Sequence, residues 1–347
     1  MIAYRANRSF AWNAAHPPKL PARPRKRIAH PPALLFGRRV ASPIGIAAGP
    51  LPNSKWIEAY ARLGYGIFTY KTVRSAARLA YPAPNLLFCR LGDPAVAEPK
   101  APRKLDPAAV TWATSFGLPS AAPDAWRADV KRARAKLAAD QLLLVSVVGT
   151  PAPGGDAEQL AQDYATCARW AAEAGADVVE VHLSCPNTAA EQAHMVYEDK
   201  ELAGLIVERV RRVTGGVPLV AKLGALAGPR ALHELATRLA PWLDGFVLVN
   251  GLQRKVIKPE GNPAFPGTGR DLAGVVGAGV YDTCRIQVEE LLAWRKAGAW
   301  DRAIFAVGGL TTAARARAAL DAGANAALVA TAALVDPLFA ARFPAKR

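Results

Sequence analysis

The chain has 347 residues, is 51% hydrophobic and only 21% charged, so it can bury a large core, and wholesale disorder is excluded. Its net charge is +16, and nine of its basic residues with no acidic one fall within residues 1–40. No run of about 18 apolar residues that would span a membrane occurs.

Residues 1–40 read as a basic, Pro-rich N-terminal arm, extended and solvated. The sharper alternative is contact with an anionic membrane or nucleic acid, but no nucleic-acid motif follows, so no nucleic-acid partner is expected. The opening MIAYRANRSFAWN lacks the apolar middle of a secretory signal. Four widely spaced cysteines, Cys89, Cys167, Cys185 and Cys284, form neither a zinc ligand set nor a disulfide framework. A reducing cytoplasm and no metal are therefore the expectation.

From residue 41 short β-rich apolar runs alternate with helical stretches. The predicted strands are Ile44–Ala48, Ile67–Lys71, Leu142–Val148, Val178–Leu183, Pro218–Leu223, Gly245–Asn250, Ala303–Val307 and Ala326–Ala330. Predicted helices are Ser54–Leu63, Ala125–Ala139, Ala157–Ala174, Glu198–Val213, Arg230–Leu239, Thr283–Ala297 and Thr312–Ala322. Eight such units predict an α/β fold, a closed (β/α)8 TIM barrel over residues 41–347. The stretch 72–141 between strands two and three is too long for one loop. It predicts an extra cover segment with short antiparallel strands over the barrel mouth.

Active sites in this fold lie at the C-terminal strand ends. Strand seven ends in Gly308-Gly309 and strand eight in Ala330-Thr331. Glycines let a backbone approach an anion, and Thr331 offers a hydroxyl, so this end reads as a phosphate site; a plain tight turn is the alternative. Period two in Val178–Leu183 turns Val179, Val181 and Leu183 toward the helices and Glu180 and His182 into the barrel. Lys222 on strand five reads either as an ion pair with Glu180 or as a cation for negative charge on a ligand. Cys185, just past a strand end, reads as a thiol facing the cavity. Cys89, Cys167, Cys284, His16, His30 and His233 read as structural or solvated, and His194 as a solvated loop histidine, with a place in a lid as the alternative.

Together Ile46-Ala47-Ala48-Gly49-Pro50, Tyr70-Lys71-Thr72-Val73, Ser115-Phe116-Gly117-Leu118-Pro119, Leu183-Ser184-Cys185-Pro186-Asn187-Thr188, Lys222-Leu223 and Val307-Gly308-Gly309 resemble the dihydroorotate dehydrogenase family, in order and spacing, over roughly residues 40–340. Cys185 and Lys71 resemble the soluble class-1 enzymes; the membrane-associated class 2 has serine at the first position. The resemblance implies FMN as cofactor and oxidation of dihydroorotate to orotate in pyrimidine biosynthesis. It implies Cys185 as the base that takes the C5 proton, with Lys71 near flavin and substrate. It assigns Ala47, Ala48, Gly49, Lys71, Thr72, Lys222, Gly277, Gly308, Gly309, Ala330 and Thr331 to FMN. It assigns Thr114, Phe116, Gly117, Leu118, His182, Asn187 and Asn250 to the substrate. An ordinary thiol, pKa about 8.5, is a poor base at neutral pH, so activity is expected to rise with pH. The class-1 relatives also imply a homodimer; the electron acceptor is left open.

Three departures qualify the substrate. His182 and Thr114 stand where the family usually has asparagine, and Gly251 where it has serine or threonine. The alternatives are an FMN oxidoreductase of the same barrel acting on another cyclic amide or unsaturated carbonyl, and a barrel that binds a phosphorylated ligand without catalysis.

Overall fold

Phe36 and Gly37 have φ of +52° and +73°, the paired positive angles of a two-residue type I′ hairpin. They join β1 (Ala33–Leu35) to β2 (Arg38–Val40). The computed structural model describes residues 2–20, 32–92, 96–102, 104–151, 154–184, 195–298 and 300–344. After the hairpin come β3 (Ile44–Ile46), β4 (Ile67–Val73), β5 (Leu86–Leu91), β6 (Val96–Pro99) and β7 (Thr111–Thr114). Then follow β8 (Leu142–Val147), β9 (Val178–His182), β10 (Leu219–Lys222) and β11 (Gly245–Leu248), β12 (Leu252–Val256) and β13 (Leu272–Gly277), β14 (Ala303–Val307) and β15 (Ala326–Val329).

Strands β3, β4, β8, β9, β10, β11, β14 and β15 pair in parallel and close into a barrel. These are the eight expected strands, and the fold is a (β/α)8 barrel. The helices are α1 (Phe10–Ala15), α2 (Ser54–Tyr60), α3 (Pro123–Lys136), α4 (Ala157–Glu173), α5 (Lys200–Val213), α6 (Pro229–Leu239), α7 (Tyr281–Ala297), α8 (Ala313–Asp321), α9 (Thr331–Val335) and α10 (Phe339–Arg342). Helix α4 shows why such a segment forms. Asp156 accepts from the Gln159 backbone N–H at 2.8 Å, and the Gln159 side chain returns a bond to the Asp156 N–H at 3.2 Å, a capping box. Leu160, Ala161, Tyr164, Ala168 and Ala171 recur at helical spacing and are buried. Asp156→Ala would cost about 1 kcal/mol through the lost cap.

The barrel interior is packed by Ile67, Leu142, Leu144, Val178, Val220, Val247, Phe305 and Leu328. The β1–β2 hairpin joins that cluster through Leu35 and Val40, with the Phe36 ring 5.9 Å from the Phe305 ring. A larger cluster, including Val179, Val181 and Leu183, lies between strands and helices. The period-two assignment of β9 is therefore correct.

The expectation of an extended, solvated N-terminal arm is corrected for residues 2–20 and 32–40. Ser9 caps α1 by accepting from the Trp12 N–H, and Asn13, 1% exposed, bonds the Arg5, Arg8 and Ser9 carbonyls and the Arg5 N–H. Tyr4 is buried against Trp56, whose indole N–H donates to the Asn13 carbonyl at 2.8 Å. Aromatic burial outweighs the basic composition here, because the arginines can keep their heads in water while Tyr4 and Phe10 pack.

The cover is larger than expected. Strands β5, β6 and β7 form short antiparallel pairs, as the length of the 72–141 stretch implied, but β12 and β13 from the distant 252–277 stretch complete them. The result is a second, five-stranded closed barrel with its own core of Ala97, Ala113, Val256, Phe265, Ala273 and Val275. Among the described residues, no helix is long and apolar enough to cross a membrane.

Candidate active site

Between the two barrels lies a cavity of about 1350 Å³, its open mouth included. All eleven residues that the sequence resemblance assigns to FMN line it: Ala47, Ala48, Gly49, Lys71, Thr72, Lys222, Gly277, Gly308, Gly309, Ala330 and Thr331. Of the substrate set, Thr114, Phe116, Leu118, His182 and Asn250 line it too. Gly117 is not a lining residue; its φ of +74° makes the turn that carries Phe116 and Leu118, with the Tyr81 ring 3.0 Å from where a Cβ would stand. Cys185, Asn187 and His194 lie outside the described residues.

At one end, Gly308 and Gly309 have φ of +113° and +68°, conformations that disfavour a side chain. A Cβ on Gly309 would stand 2.4 Å from Tyr281 Cα. The Thr331 hydroxyl accepts from the Trp112 indole N–H at 2.7 Å, which leaves its own proton to donate. On the barrel floor Gly49 lines the cavity, yet a Cβ there would meet no protein atom within 4 Å.

At the other end, register sets His182 on β9 beside Lys222 on β10, and Glu180 one inward step below. Lys222 Nζ lies 3.8 Å from Glu180 Oε1, with both side chains almost wholly buried. Lys222 pairs with Glu180, as the first sequence reading has it, and also lines the cavity. The geometry is long for a hydrogen bond, and neither Glu180 oxygen has a hydrogen-bond partner among the described residues. His182 is not bonded to Glu180, and its Nδ1 lacks a hydrogen-bond partner among the described residues. Burial, followed by the Lys222 and Lys71 charges, holds its pKa well below the ordinary value, so the ring is neutral.

The departures have local causes. The Thr114 hydroxyl donates to the Gly274 carbonyl at 3.1 Å and is thus committed to the cover. At Gly251 a Cβ would stand 2.9 Å from the Val275 carbonyl oxygen, so close pairing of β12 with β13 leaves no room for a serine. Asn250 donates to the Ser184 carbonyl at 2.9 Å, which ties the residue just past β9 to the site. Two buried arginines fix the Ser115–Leu118 segment at its two ends. Arg74 donates to the Leu118 carbonyl, and Arg270 donates to Ser115 Oγ and to the carbonyls of Ser115, Pro82, Pro84 and Pro266.

Residues that sequence reasoning missed also line the cavity: Tyr4 and Phe10 from the N-terminal segment and Trp112 and Val276 from the cover. Three aromatics within residues 4–12 were the available signal for the first pair. Cys89, Cys167 and Cys284 are buried free thiols, and burial pushes Cys89 and Cys284 up to about 12, in keeping with structural roles.

A glycine-lined end, an apolar floor and two buried lysines, Lys71 and Lys222, line a large cavity at the mouth of a (β/α)8 barrel. Residues 98–343 match the family model described as dihydroorotate dehydrogenase. A dihydroorotate dehydrogenase of Dictyostelium discoideum is 28% identical over 323 residues, covering 89% of this chain and 86% of that protein. Proteins named dihydroorotate dehydrogenase (quinone) are similarly related. That of Bordetella avium is 28% identical, over 85% of this chain and 78% of its own, and that of Pseudarthrobacter chlorophenolicus 29%, over 92% and 86%. The chain belongs to the dihydroorotate dehydrogenase family and is an oxidoreductase of that type, acting on CH–CH groups.

Proposed function

We propose that the chain is an FMN-dependent enzyme that oxidises dihydroorotate to orotate. The observation that carries the reading is the convergence on one cavity of the Gly308-Gly309-Thr331 end and the Lys222–Glu180 pair. The residues suit the cofactor. The glycines and the Thr331 hydroxyl would hold the phosphate, Ala47, Ala48 and Gly49 would leave the floor flat for the ring system, and Lys222 would face its pyrimidine end. FMN, when bound, supplies the two-electron acceptor for the hydride that leaves substrate C6.

In this reading Cys185 Sγ takes the proton from C5. Lys71 and Asn250 orient the ring, and Asn187 adds a further hydrogen bond. Neutral His182 presents one donor and one acceptor, where an amide would present two donors and an acceptor. The cover keeps water from the reacting carbons.

The committed Thr114 hydroxyl and the absent side chain at Gly251 favour a second reading, in which the same chemistry acts on another cyclic amide or unsaturated carbonyl. Anaerobic titration of the FMN-loaded protein distinguishes them. Bleaching of the flavin by micromolar dihydroorotate supports the first; no bleaching by dihydroorotate, with bleaching by another cyclic amide, supports the second. Protein that does not take up FMN overturns both.

A further inference from the structure

Lys71 is 8% exposed, and its ammonium lies 5.6 Å from the Phe10 ring centroid and 5.3 Å from that of Phe116. The two rings meet each other edge to face, 5.9 Å apart at 69°. An ammonium this buried has lost most of its hydration, and the negative faces of two rings compensate for part of that loss without accepting its proton. Two rings also limit where a flexible four-carbon stem can carry its nitrogen.

The rings come from unrelated parts of the chain. Phe116 belongs to the segment fixed by Arg74 and Arg270. Phe10 opens α1, which is tied to the barrel at several points: the Ala3 N–H donates to the Leu334 carbonyl at 2.8 Å, Trp56 bonds the Asn13 carbonyl, and the Asn53 amide bonds the Ala14 carbonyl at 2.8 Å.

We propose that Phe10 is a positioning residue of the active site: with Phe116 it holds the Lys71 ammonium in place at the substrate end, which makes the N-terminal segment part of the catalytic apparatus. The inference rests on the reading of Lys71 given above. The contact is one of ring face to cation, so ring chemistry at position 10 matters more than apolar bulk.

The test uses the full-length, FMN-loaded protein and the variants Phe10→Leu, which keeps apolar volume without a π face, and Phe10→Tyr, which keeps the face. One readout needs no substrate: the rate at which acetic anhydride acetylates Lys71, followed by peptide mass spectrometry. It rises several-fold in Phe10→Leu and stays near wild type in Phe10→Tyr. The second is the limiting rate of flavin reduction by dihydroorotate, which falls about tenfold in Phe10→Leu and is restored to within about twofold in Phe10→Tyr, with FMN affinity unchanged. Equal labelling in wild type and Phe10→Leu overturns the proposal, as does equal loss in both variants, which reduces Phe10 to packing. If Phe10→Leu does not fold, Phe116→Leu removes the other ring and is scored in the same way. Wild-type flavin that dihydroorotate leaves oxidised defeats the proposed substrate, while the labelling result still decides the clamp.

Discussion

The Trp112 indole N–H donates to the Thr331 hydroxyl at 2.7 Å, joining the cover barrel to the end of the last strand of the main barrel. The bond is buried and spans 219 residues of sequence. It fixes the threonine rotamer, and thereby the direction in which that hydroxyl can donate.

Trp112→Phe removes this donor and keeps a ring to stack on Phe88, which lies 5.3 Å away at 20°. A lost bond of this kind is worth about 1 kcal/mol, so FMN affinity should weaken about fivefold. Titration of the apoprotein by flavin fluorescence quenching measures it. Unchanged affinity would free Thr331 from a role in cofactor binding.

Cys185→Ala should retain FMN and slow flavin reduction by dihydroorotate by about 10²–10⁴, the range for loss of a general base. Stopped-flow absorbance under anaerobic conditions gives the rate. A variant as fast as wild type would put the base elsewhere.

The Lys222–Glu180 pair predicts a non-additive cycle. Lys222→Met strands a carboxylate that has no exposed surface, at a cost of about 3–5 kcal/mol. Adding Glu180→Gln should recover most of that loss. Urea unfolding of the three variants without FMN tests it; simple additivity would mean that the charges do not interact.

His182 gives stability a pH dependence. Its folded pKa is depressed by burial first and by the neighbouring lysines second. Below about pH 6.5, the ordinary value, the unfolded chain takes up a proton that the folded chain refuses, so stability is full above that pH and falls as pH drops below it. The slope from this group is at most about 1.4 kcal/mol per pH unit. His182→Asn should flatten the profile between about pH 5 and 6.5; an unaltered profile in denaturant melts would show that the ring protonates freely in the native state.

The barrel was legible because its strands are short apolar runs broken by glycine stops, and because polar residues on such runs have few places to go. Glu180, His182 and Lys222 betray the inward face of β9 and β10 for that reason. What escaped depends on distant contacts. Strands β12 and β13 are short, one carries Gln253, Arg254 and Lys255, and a turn-rich stretch separates them, so no periodicity marks them. The absence of a side chain at Gly251 is visible in sequence, but its cause, the Val275 carbonyl, is not. In residues 1–20 charge concealed the aromatic anchors. The positions of Cys185 and Asn187 rest on motif alone.

The five-stranded cover is sewn from chain stretches more than a hundred residues apart, and Arg270 reaches back to Pro82, Pro84 and Ser115 to fasten it. The catalytic chamber is consequently a late product of folding. A nascent chain that has made its first five barrel strands still lacks Arg270, β13, Gly308 and Thr331, and so lacks both the completed cover and the glycine-lined end of the cavity. Under the proposed function, FMN could be captured only once almost the whole polypeptide is present.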